Sequence, residues 1–174
     1  LEFMREEAYK PLSVKELEEA FGLTDSSEFK DFVKTLNEME EQGLIVRTRT
    51  NRYGVPERMN LVKGRVQANA KGFAFVIPEA EGMDDVYVSS SDLAGAMNRD
   101  IVLVRLFPKS TGSRPEGSVA RIIERGVTQT VGTYVDEEHY GMVKADDKRI
   151  PNDIFIPKAA SKGAAEGHKV VVKI

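Results

Sequence analysis

The stretch Asn69–Pro78, NAKGFAFVIP, places two phenylalanines two residues apart, directly after a lysine and a glycine. Alternate side chains of a β-strand point to opposite faces, so Phe73 and Phe75 share one face. Ala74 and Val76 then share the other. Aromatic rings exposed on a sheet, with cations beside them, stack on unpaired nucleobases of nearly any sequence. Burial of the two rings in a core is the alternative arrangement, and it is the commoner one for phenylalanine.

Three features favour the exposed arrangement. Ala74 and Val76 continue a series of small residues at inward positions. Two phenylalanine rings at such positions would overfill the interior of a small barrel. Tyr87 lies in the next predicted strand between two valines, which repeats the pattern of an aromatic residue between small ones. Basic residues occur beside the rings and on neighbouring segments, and they are Arg65, Lys71, Arg99, Arg105 and Lys109. We therefore predict that Phe73, Phe75 and Tyr87 stack on bases while these cations contact phosphates.

Carboxylates that could hold catalytic metal ions occur in three groups, Asp84-Asp85, Asp136-Glu137-Glu138 and Asp146-Asp147. Two-metal hydrolysis of a phosphodiester needs several carboxylates that converge on ions about 3.5–4 Å apart. Adjacent residues of a strand point to opposite faces, and all three groups fall in predicted turns. The sequence also has no glycine-rich phosphate loop. We therefore expect no catalytic residue, no metal site and no cofactor in this chain.

The composition excludes other chemistries. The 174 residues include no cysteine, which removes disulfides and thiolate ligands, and two histidines are too few for a histidine-rich metal site. No apolar run approaches the ~20 residues that span a bilayer, and no secretory signal is visible, so we expect a cytoplasmic protein without a membrane partner. The net charge is −7 over residues 1–43, +4 over 44–125 and zero over 126–174. The middle segment is therefore the one suited to nucleic acid.

Residues 4–62 show the pattern of a winged helix-turn-helix domain. Ser13 and Glu16 fit a capping box at the start of a short helix, which Gly22 ends. Hydrophobic residues spaced three and four apart predict a second helix, with Gly43 at its C-terminal end. These residues are Phe29, Phe32, Val33, Leu36 and Met39.

A two-stranded ribbon, the wing, is predicted after these helices. Segments 44–46 and 59–61 have strand character, and 51–54 has the composition of a turn. Residues 1–3 precede Met4 and have the composition of a cloning scar, so we leave them out of the predicted fold.

The charges of this domain argue against the reading of duplex DNA. A recognition helix is expected to be basic, because phosphate contacts supply most of the affinity. The predicted second helix carries Glu28, Asp31, Glu38, Glu40 and Glu41 against two lysines. In the ribbon, Arg47, Arg49 and Arg52 are either phosphate contacts of the wing or solvated side chains. A transcriptional regulator that acts through the winged helix, and a module that docks a protein through it, are the alternative functions.

The remainder of the chain contains a tandem repeat with an offset of 67 or 68 residues. Strands are predicted at 64–77, 85–88, 100–107 and 118–123, and the first three units recur from Gly132 onward. We therefore predict two small β-domains, at 63–126 and 127–174. A counterpart of 118–123 is absent, so we expect the second domain to lack its last strand and the chain to be a fragment.

The repeat also transfers the predicted binding positions to the second domain. Tyr140 and Phe155 correspond to Phe73 and Tyr87, and we predict that they stack on bases. Lys144 is the predicted phosphate contact. Two glutamates precede His139 and lower the local potential, so we expect weaker RNA contact there, or a spacer role.

Three segments resemble the nucleic-acid-binding strands of cold-shock domains, which are five-stranded OB-type barrels that bind single strands. They are 63–66 (KGRV), 71–76 (KGFAFV) and 85–88 (DVYV). The family usually has Trp and Phe before the second segment, where this chain has QANA at 67–70. It usually has His and Phe after the third, where Ser89 and Ser90 stand, so the resemblance implies a lower affinity per barrel.

The domain order is similar to that of the N-terminal half of the ribonuclease R family, and the resemblance covers the chain from Met4 onward. It rests on GRVQANAKGFAFVIPE, YGMVKADD and DIFIP after a winged helix-turn-helix. It implies an α+β multidomain chain with a winged helix and two OB-type barrels, the second truncated.

The family resemblance also implies a function. The chain would capture single-stranded RNA, with structured RNA or a protein as partners of the winged helix. It would guide RNA to the Mg²⁺-dependent catalytic domain of a 3′→5′ exoribonuclease, whose aspartates have no match here. The connection 108–117, with Lys109 and Arg114, is placed like an OB-fold loop that often touches the ligand.

Overall fold

The computed structural model describes residues 1–6, 10–108 and 114–174. The described helices are α1 (Glu2–Glu6), α2 (Val14–Phe21) and α3 (Ser26–Glu41). Strands β1 (Leu12–Ser13), β2 (Val46–Arg47) and β3 (Arg52–Gly54) form a sheet in the order β1-β3-β2. None of these helices combines the length and the apolar character that crossing a membrane requires.

The rest of the described chain forms two further sheets. The first contains β4 (Leu61–Ala68), β5 (Ala74–Pro78), β6 (Val86–Val88), β7 (Ile101–Leu106) and β8 (Gly117–Glu124), in the order β6-β5-β4-β7-β8. The second contains β9 (Gln129–Asp136), β10 (Tyr140–Ala145), β11 (Ile154–Pro157) and β12 (Lys169–Lys173), in the order β11-β10-β9-β12. Both curl into OB-like barrels or half-barrels, as predicted.

The predicted capping box at the start of α2 is confirmed. The Ser13 hydroxyl accepts a hydrogen bond from the Glu16 backbone N–H at 3.2 Å, and the Ser13 N–H donates to the Glu16 carboxylate at 2.7 Å. The backbone hydrogen bond from Ser13 is the main reason why the pKa of Glu16 lies below its usual value. Gly22 ends α2 at a φ of 64°, where a side chain would be strained.

The prediction that residues 59–61 form the second strand of the ribbon is wrong. Strand β2 pairs instead with β3, with Val46 opposite Gly54. Pro56 begins a 3-10 helix that ends at Met59, because proline has no N–H to continue a strand ladder. Leu61 then starts β4, two residues before the predicted boundary between the domains. Whether α2, α3 and this sheet form a winged helix stays a prediction.

Residues 1–3, which the predicted fold left out, take part in the N-terminal domain. Phe3 lies in α1 and packs against the core, with its ring centroid 5.4 Å from that of Phe21. Met4 is buried in the same cluster as Leu17 and Leu36. The apolar ring at position 3 makes this segment part of the packed fold.

The inward face of the first barrel is lined by small residues. Ala74, Val76 and Val88 have no exposed surface, and they pack in one cluster with Val66 and Val102. The barrel closes where the Tyr87 N–H donates to the Pro115 carbonyl at 2.8 Å. The predicted orientation is therefore confirmed, with alanine and valine inside and the rings of β5 and β6 outside.

The two barrels share their strand register as well as their order. Gly64 pairs with Pro78 and Val102, and Gly132 pairs with Ala145 and Val170, each at the predicted offset. A Cβ at Gly64 or Gly132 would clash with a carbonyl of the neighbouring strand. The same close approach at both positions supports the tandem repeat.

The interiors of the two barrels differ at two neighbouring positions, where a larger side chain at one is matched by a smaller residue at the other; we call this difference the volume exchange. Val66 and Ala74 of the first barrel correspond to Tyr134 and Gly141 of the second. Tyr134 is 1% exposed, and a Cβ at Gly141 would overlap its ring and hydroxyl. The Tyr134 hydroxyl finds no hydrogen-bond partner among the described residues. The large ring is therefore accommodated only because position 141 has no side chain.

The N-terminal domain packs on the outer face of the first barrel through the C-terminal end of α3. Lys63 donates to the Gln42 carbonyl and Arg121 to the Glu40 carbonyl, each at 2.9 Å. Both cations flank Leu103 in the sheet, and Leu103 is 1% exposed. Positive side chains at the carbonyl end of a helix are favoured by its dipole. The contact fixes α3 against β4, β7 and β8.

The linker between the two barrels is attached through Asp100. This fully buried carboxylate accepts hydrogen bonds from the Met97 N–H at 2.8 Å and from the Gly126 N–H and the Arg125 side chain at 2.9 Å each. A buried charge is tolerated only when it is paired and hydrogen-bonded, as here. The start of the second barrel is therefore anchored to the first.

Gly141→Ala should destabilise the second barrel by about 1–3 kcal/mol, because the added methyl group overpacks against Tyr134. The double variant Tyr134→Val with Gly141→Ala copies the pair found in the first barrel and should recover most of this loss. Hydrogen exchange of the β9 and β10 amides measures both. Equal protection in the parent and in Gly141→Ala would contradict the volume exchange.

Candidate nucleic-acid interface

Three rings meet on the outer face of the first barrel, and we call Phe73, Phe75 and Tyr87 the aromatic platform. Phe75 of β5 lies directly opposite Tyr87 of β6, and Phe73 immediately precedes β5. The ring centroids are 5.8 Å apart for Phe73–Phe75, 5.6 Å for Phe73–Tyr87 and 5.9 Å for Phe75–Tyr87. All three side chains are half-buried. The rings support one another and keep part of their faces open to a ligand.

Arg114 lies over this platform. Its guanidinium carbon is 5.0 Å from the ring centroid of Phe75 and 5.9 Å from that of Tyr87. An exposed cation–π contact of this kind is worth about 0.5–1 kcal/mol. Asp84 and Asp85 line the same open cleft as Phe75 and Arg114. The cleft therefore combines an aromatic floor, a planar cation and two acceptor groups.

Two of the predicted phosphate contacts lie beside the platform. Lys71 is exposed in the turn before Phe73, a turn closed by the Asn69 side chain, which accepts from the Lys71 N–H at 2.9 Å. Arg65 is exposed on β4 and pairs with Ile77, two residues beyond Phe75 on the same face. Both cations are placed to meet a strand that crosses the rings.

Arg99 lies at the edge of the platform region. Its backbone N–H donates to the Val66 carbonyl at 2.8 Å, next to Gln67, which pairs with Phe75. Arg99 is exposed and has a φ of 71°. Gly126 packs closely against its backbone. Arg99 therefore lies at the end of β4 that carries the platform. Its charge also reaches Asp147 of the second barrel, where it adds to the hydrogen bonds of Arg149 in lowering the pKa of that carboxyl.

Arg105 is not brought to the platform. It pairs with Leu61 of β4, six residues from Gln67, which corresponds to about 20 Å along a strand. Lys109 lies outside the described residues. The predicted phosphate contact of Lys109, like those of Arg65, Lys71 and Arg99 at the platform, stays a prediction.

The second barrel carries a smaller aromatic surface. Tyr140 and Phe155 have ring centroids 5.3 Å apart, and they are 39% and 59% exposed. Met142, opposite Phe155, takes the place of the third ring, and Lys144 follows on the same face of β10. Two rings and one cation thus replace the three rings and several cations of the first barrel.

Three of the candidate metal ligands of this barrel form ion pairs. Lys158 binds Asp136 at 2.9 Å, Lys169 binds Asp146 at 2.5 Å and Arg149 binds Asp147 at 2.8 Å. Hydrogen bonds from Arg149 hold the pKa of Asp147 below its usual value, and the bond to Asp136 raises the pKa of Lys158. Within residues 1–6, 10–108 and 114–174, no group of three or more potential ligands is placed to hold a metal ion.

The three arginines predicted as wing contacts differ in their surroundings. Arg52 is half-buried and binds the Glu16 carboxylate at 2.7 Å and the Pro11 carbonyl at 3.1 Å, so it holds the N-terminal domain together. Arg47 pairs with Glu40 at 3.4 Å. Arg49 is exposed in the turn between β2 and β3. Of the three, Arg49 is the best placed to meet a ligand.

Comparison with known proteins supports the two-barrel architecture. The ribonuclease B OB domain model matches residues 64–122, and the cold shock domain model matches residues 142–174. Ribonuclease R of Vibrio parahaemolyticus serotype O3:K6 is 34% identical over 176 residues, which cover 100% of this chain and 21% of that protein. Ribonuclease R of Escherichia coli K12 is 33% identical over 165 residues, which cover 95% of this chain and 20% of that protein.

A solved structure shows the same fold. Mycoplasma genitalium RNase R, in complex with ribose methylated single-stranded RNA, superposes with a TM-score of 0.54 over 63% of this chain and 18% of that one. The sequence identity in this superposition is 21%. The likeness therefore concerns the fold alone.

These matches define a class of protein, namely tandem OB-type domains of the ribonuclease B and cold-shock kinds. Along its whole length, the chain is similar to ribonuclease R. The predicted family resemblance is thus confirmed. The chain spans about a fifth of the length of the curated relatives that it matches.

Replacing Tyr140 and Phe155 together by alanine should weaken binding of single-stranded RNA by only about 1 kcal/mol, the lower end of the range for a stacked base, because Glu137 and Glu138 repel phosphate near these rings. Replacing Phe75 and Tyr87 together should weaken it more. Val171→Ala, which removes a 66% exposed apolar side chain of β12, is the matched control. Fluorescence anisotropy with a labelled oligoribonucleotide measures all three, and a larger loss from the second barrel would contradict this ranking.

Proposed function

We propose that this chain is the RNA-binding part of a ribonuclease R-type 3′→5′ exoribonuclease, and that it captures single-stranded RNA on the first barrel. The observation that carries the proposal is the aromatic platform, whose three rings lie in mutual contact on the solvent face above a fully buried alanine and valines. Each base stacked on such a ring contributes about 1–3 kcal/mol.

The platform favours unpaired strands because a base in a duplex is already stacked on both faces. The chain has a net charge of −3, so a general attraction to nucleic acid does not account for binding. The local cations Arg65, Lys71 and Arg99 supply the attraction to phosphates at the platform. Binding should therefore weaken with salt, with log K falling by about 0.7 per phosphate neutralised.

The other parts of the chain have supporting roles in this proposal. The second barrel holds the strand more weakly and passes it toward a catalytic domain elsewhere in the parent protein, where Mg²⁺ ions would be bound. The N-terminal domain, with α2, α3 and the sheet β1-β3-β2, would act as a winged helix. The acidic α3 suits a protein partner better than the phosphates of any nucleic acid, and a structured RNA would instead meet the arginines of the ribbon. We place the parent protein in the cytoplasm.

Replacing Phe73 and Tyr87 by alanine should each reduce affinity for single-stranded RNA by about 1–3 kcal/mol, because each removes one stacking surface. Ile77→Ala is the matched control, since Ile77 is a 43% exposed apolar side chain of β5 on the same face without a π system. Titration calorimetry measures the affinities.

A double variant of Phe73 and Tyr87 that binds as tightly as the parent chain would refute the proposal. A parallel gel shift with duplex DNA tests the regulator alternative, because only a winged-helix regulator should prefer the duplex.

Incubation of this chain with end-labelled RNA and Mg²⁺ should give a complex but no shortening of the strand. The reason is that two-metal hydrolysis needs several converging carboxylates, and residues 1–6, 10–108 and 114–174 contain no group of three or more potential metal ligands. Denaturing gels score degradation, and native gels score binding on the same samples. Shortened products that persist after further purification and disappear with EDTA would show that the chain contains a catalytic site.

A further inference from the structure

Arg114 occupies the part of the platform where a base would stack. Its guanidinium carbon is 5.0 Å from the centroid of Phe75. A base inserted between the two groups needs about 7 Å, which is twice the separation of about 3.4 Å between stacked nucleotides. The space is too small for a base. A base can therefore reach the face of Phe75 only if the guanidinium moves away.

The backbone next to Arg114 is fixed while its side chain is exposed. The Pro115 carbonyl accepts the hydrogen bond from Tyr87 that closes the barrel, and Glu116 forms a bridge with the same residue. The Arg114 side chain extends from this anchored position over the rings of Phe75 and Tyr87. A rotation of the side chain is thus sufficient to open the ring face without disturbing the barrel.

The carboxylates of the cleft decide which part of a nucleotide enters it. Asp84 and Asp85 line the cleft together with Phe75 and Arg114, and both are exposed. Ionised carboxylates repel phosphate and accept hydrogen bonds from the amino groups of bases. The base therefore enters the cleft, while the backbone stays on the side of Lys71 and Arg65.

We propose that Arg114 is an exchangeable cap of the aromatic platform. In the free protein its guanidinium covers Phe75, and a nucleobase displaces it. The planar guanidinium then packs on the other face of that base, because arginine stacks on aromatic planes and lysine does not. Arg114 thus acts as an RNA-binding residue that protects the ring face before RNA arrives and encloses the base afterwards. This inference rests on the proposed function.

The first test compares variants of two arginines in the full chain. The probe is a labelled oligoadenylate of about eight nucleotides, which is within the site size of one OB fold. We expect Arg114→Ala and Arg114→Lys to weaken binding by roughly three- to ten-fold. Both variants lose the planar group, whose contact with an enclosed base is stronger than its exposed contact with Phe75 in the free protein. Arg105→Ala removes the same charge at the remote end of β7 and should weaken binding by less than about two-fold.

The outcomes separate this inference from the proposed function. If Arg114→Lys binds like the parent, or Arg114→Ala binds like Arg105→Ala, the residue acts through its charge alone and the cap is refuted. Tighter binding by Arg114→Ala would make the residue a blocker without a role in the complex, and would also refute the cap. In each case, weaker binding by the Phe73 and Tyr87 variants would leave the proposed function in place.

A second test observes the displacement directly. In the free protein, the side-chain protons of Arg114 lie over the Phe75 ring, so their NMR resonances should be shifted upfield. Saturation with the oligoadenylate should move these resonances by exchanging one aromatic neighbour for another. The resonances of Arg105 should stay unchanged. Arg114 resonances that are the same with and without saturating RNA would overturn the proposal.

Discussion

The small size of the residues inside the first barrel determines where its aromatic rings lie. Ala74, Val76 and Val88 are fully buried, and with their neighbours they fill the interior. Since side chains alternate along a strand, Phe75 and Tyr87 are placed on the outer face. A shift of register by one residue would exchange the two sets. The close approach of β5 at Gly64 therefore matters for the position of the rings, because it helps to fix this register.

The two barrels share one backbone plan but carry different numbers of aromatic rings on their outer surfaces. Their strands share order and register, while their interiors differ by the exchange of Val66 and Ala74 for Tyr134 and Gly141. On the outside, Met142 replaces one ring of the platform. A repeat of this kind can keep its packing while the outer surfaces of its two copies differ, because the inner and outer faces of a strand vary independently.

Charged contacts hold the parts of the chain in place around the platform. Lys63 and Arg121 bind the carbonyl end of α3, and Asp100 binds the linker to the second barrel. The contact with α3 lies about 13 Å along β4 from Gln67, the partner of Phe75. The N-terminal domain therefore covers one end of the outer face and leaves the platform open. The acidic helices of this domain therefore repel phosphates from that end of the barrel and not from the platform.

The sequence by itself determined the features that depend on near neighbours. The alternation in 73–76 and the capping box at Ser13 predicted local structure that the protein adopts, since both depend on residues only a few positions apart. The 67- or 68-residue repeat predicted two sheets of shared register, since similar segments form similar strands. Periodicity placed Phe73 and Phe75 on one face, but the prediction that this face points outward rested on the small size of Ala74 and Val76 and on the cations nearby.

Only the tertiary structure decided the contacts between distant segments. The closure of the barrel brings Arg114 over Phe75, whereas the path of β7 carries Arg105 away from it. Arg52 pairs with Glu16 across 36 residues, and so serves the fold of its own domain. The ribbon also pairs differently from the prediction, because Pro56 ends the strand early. Such contacts depend on how whole elements pack, which no local pattern of residues records.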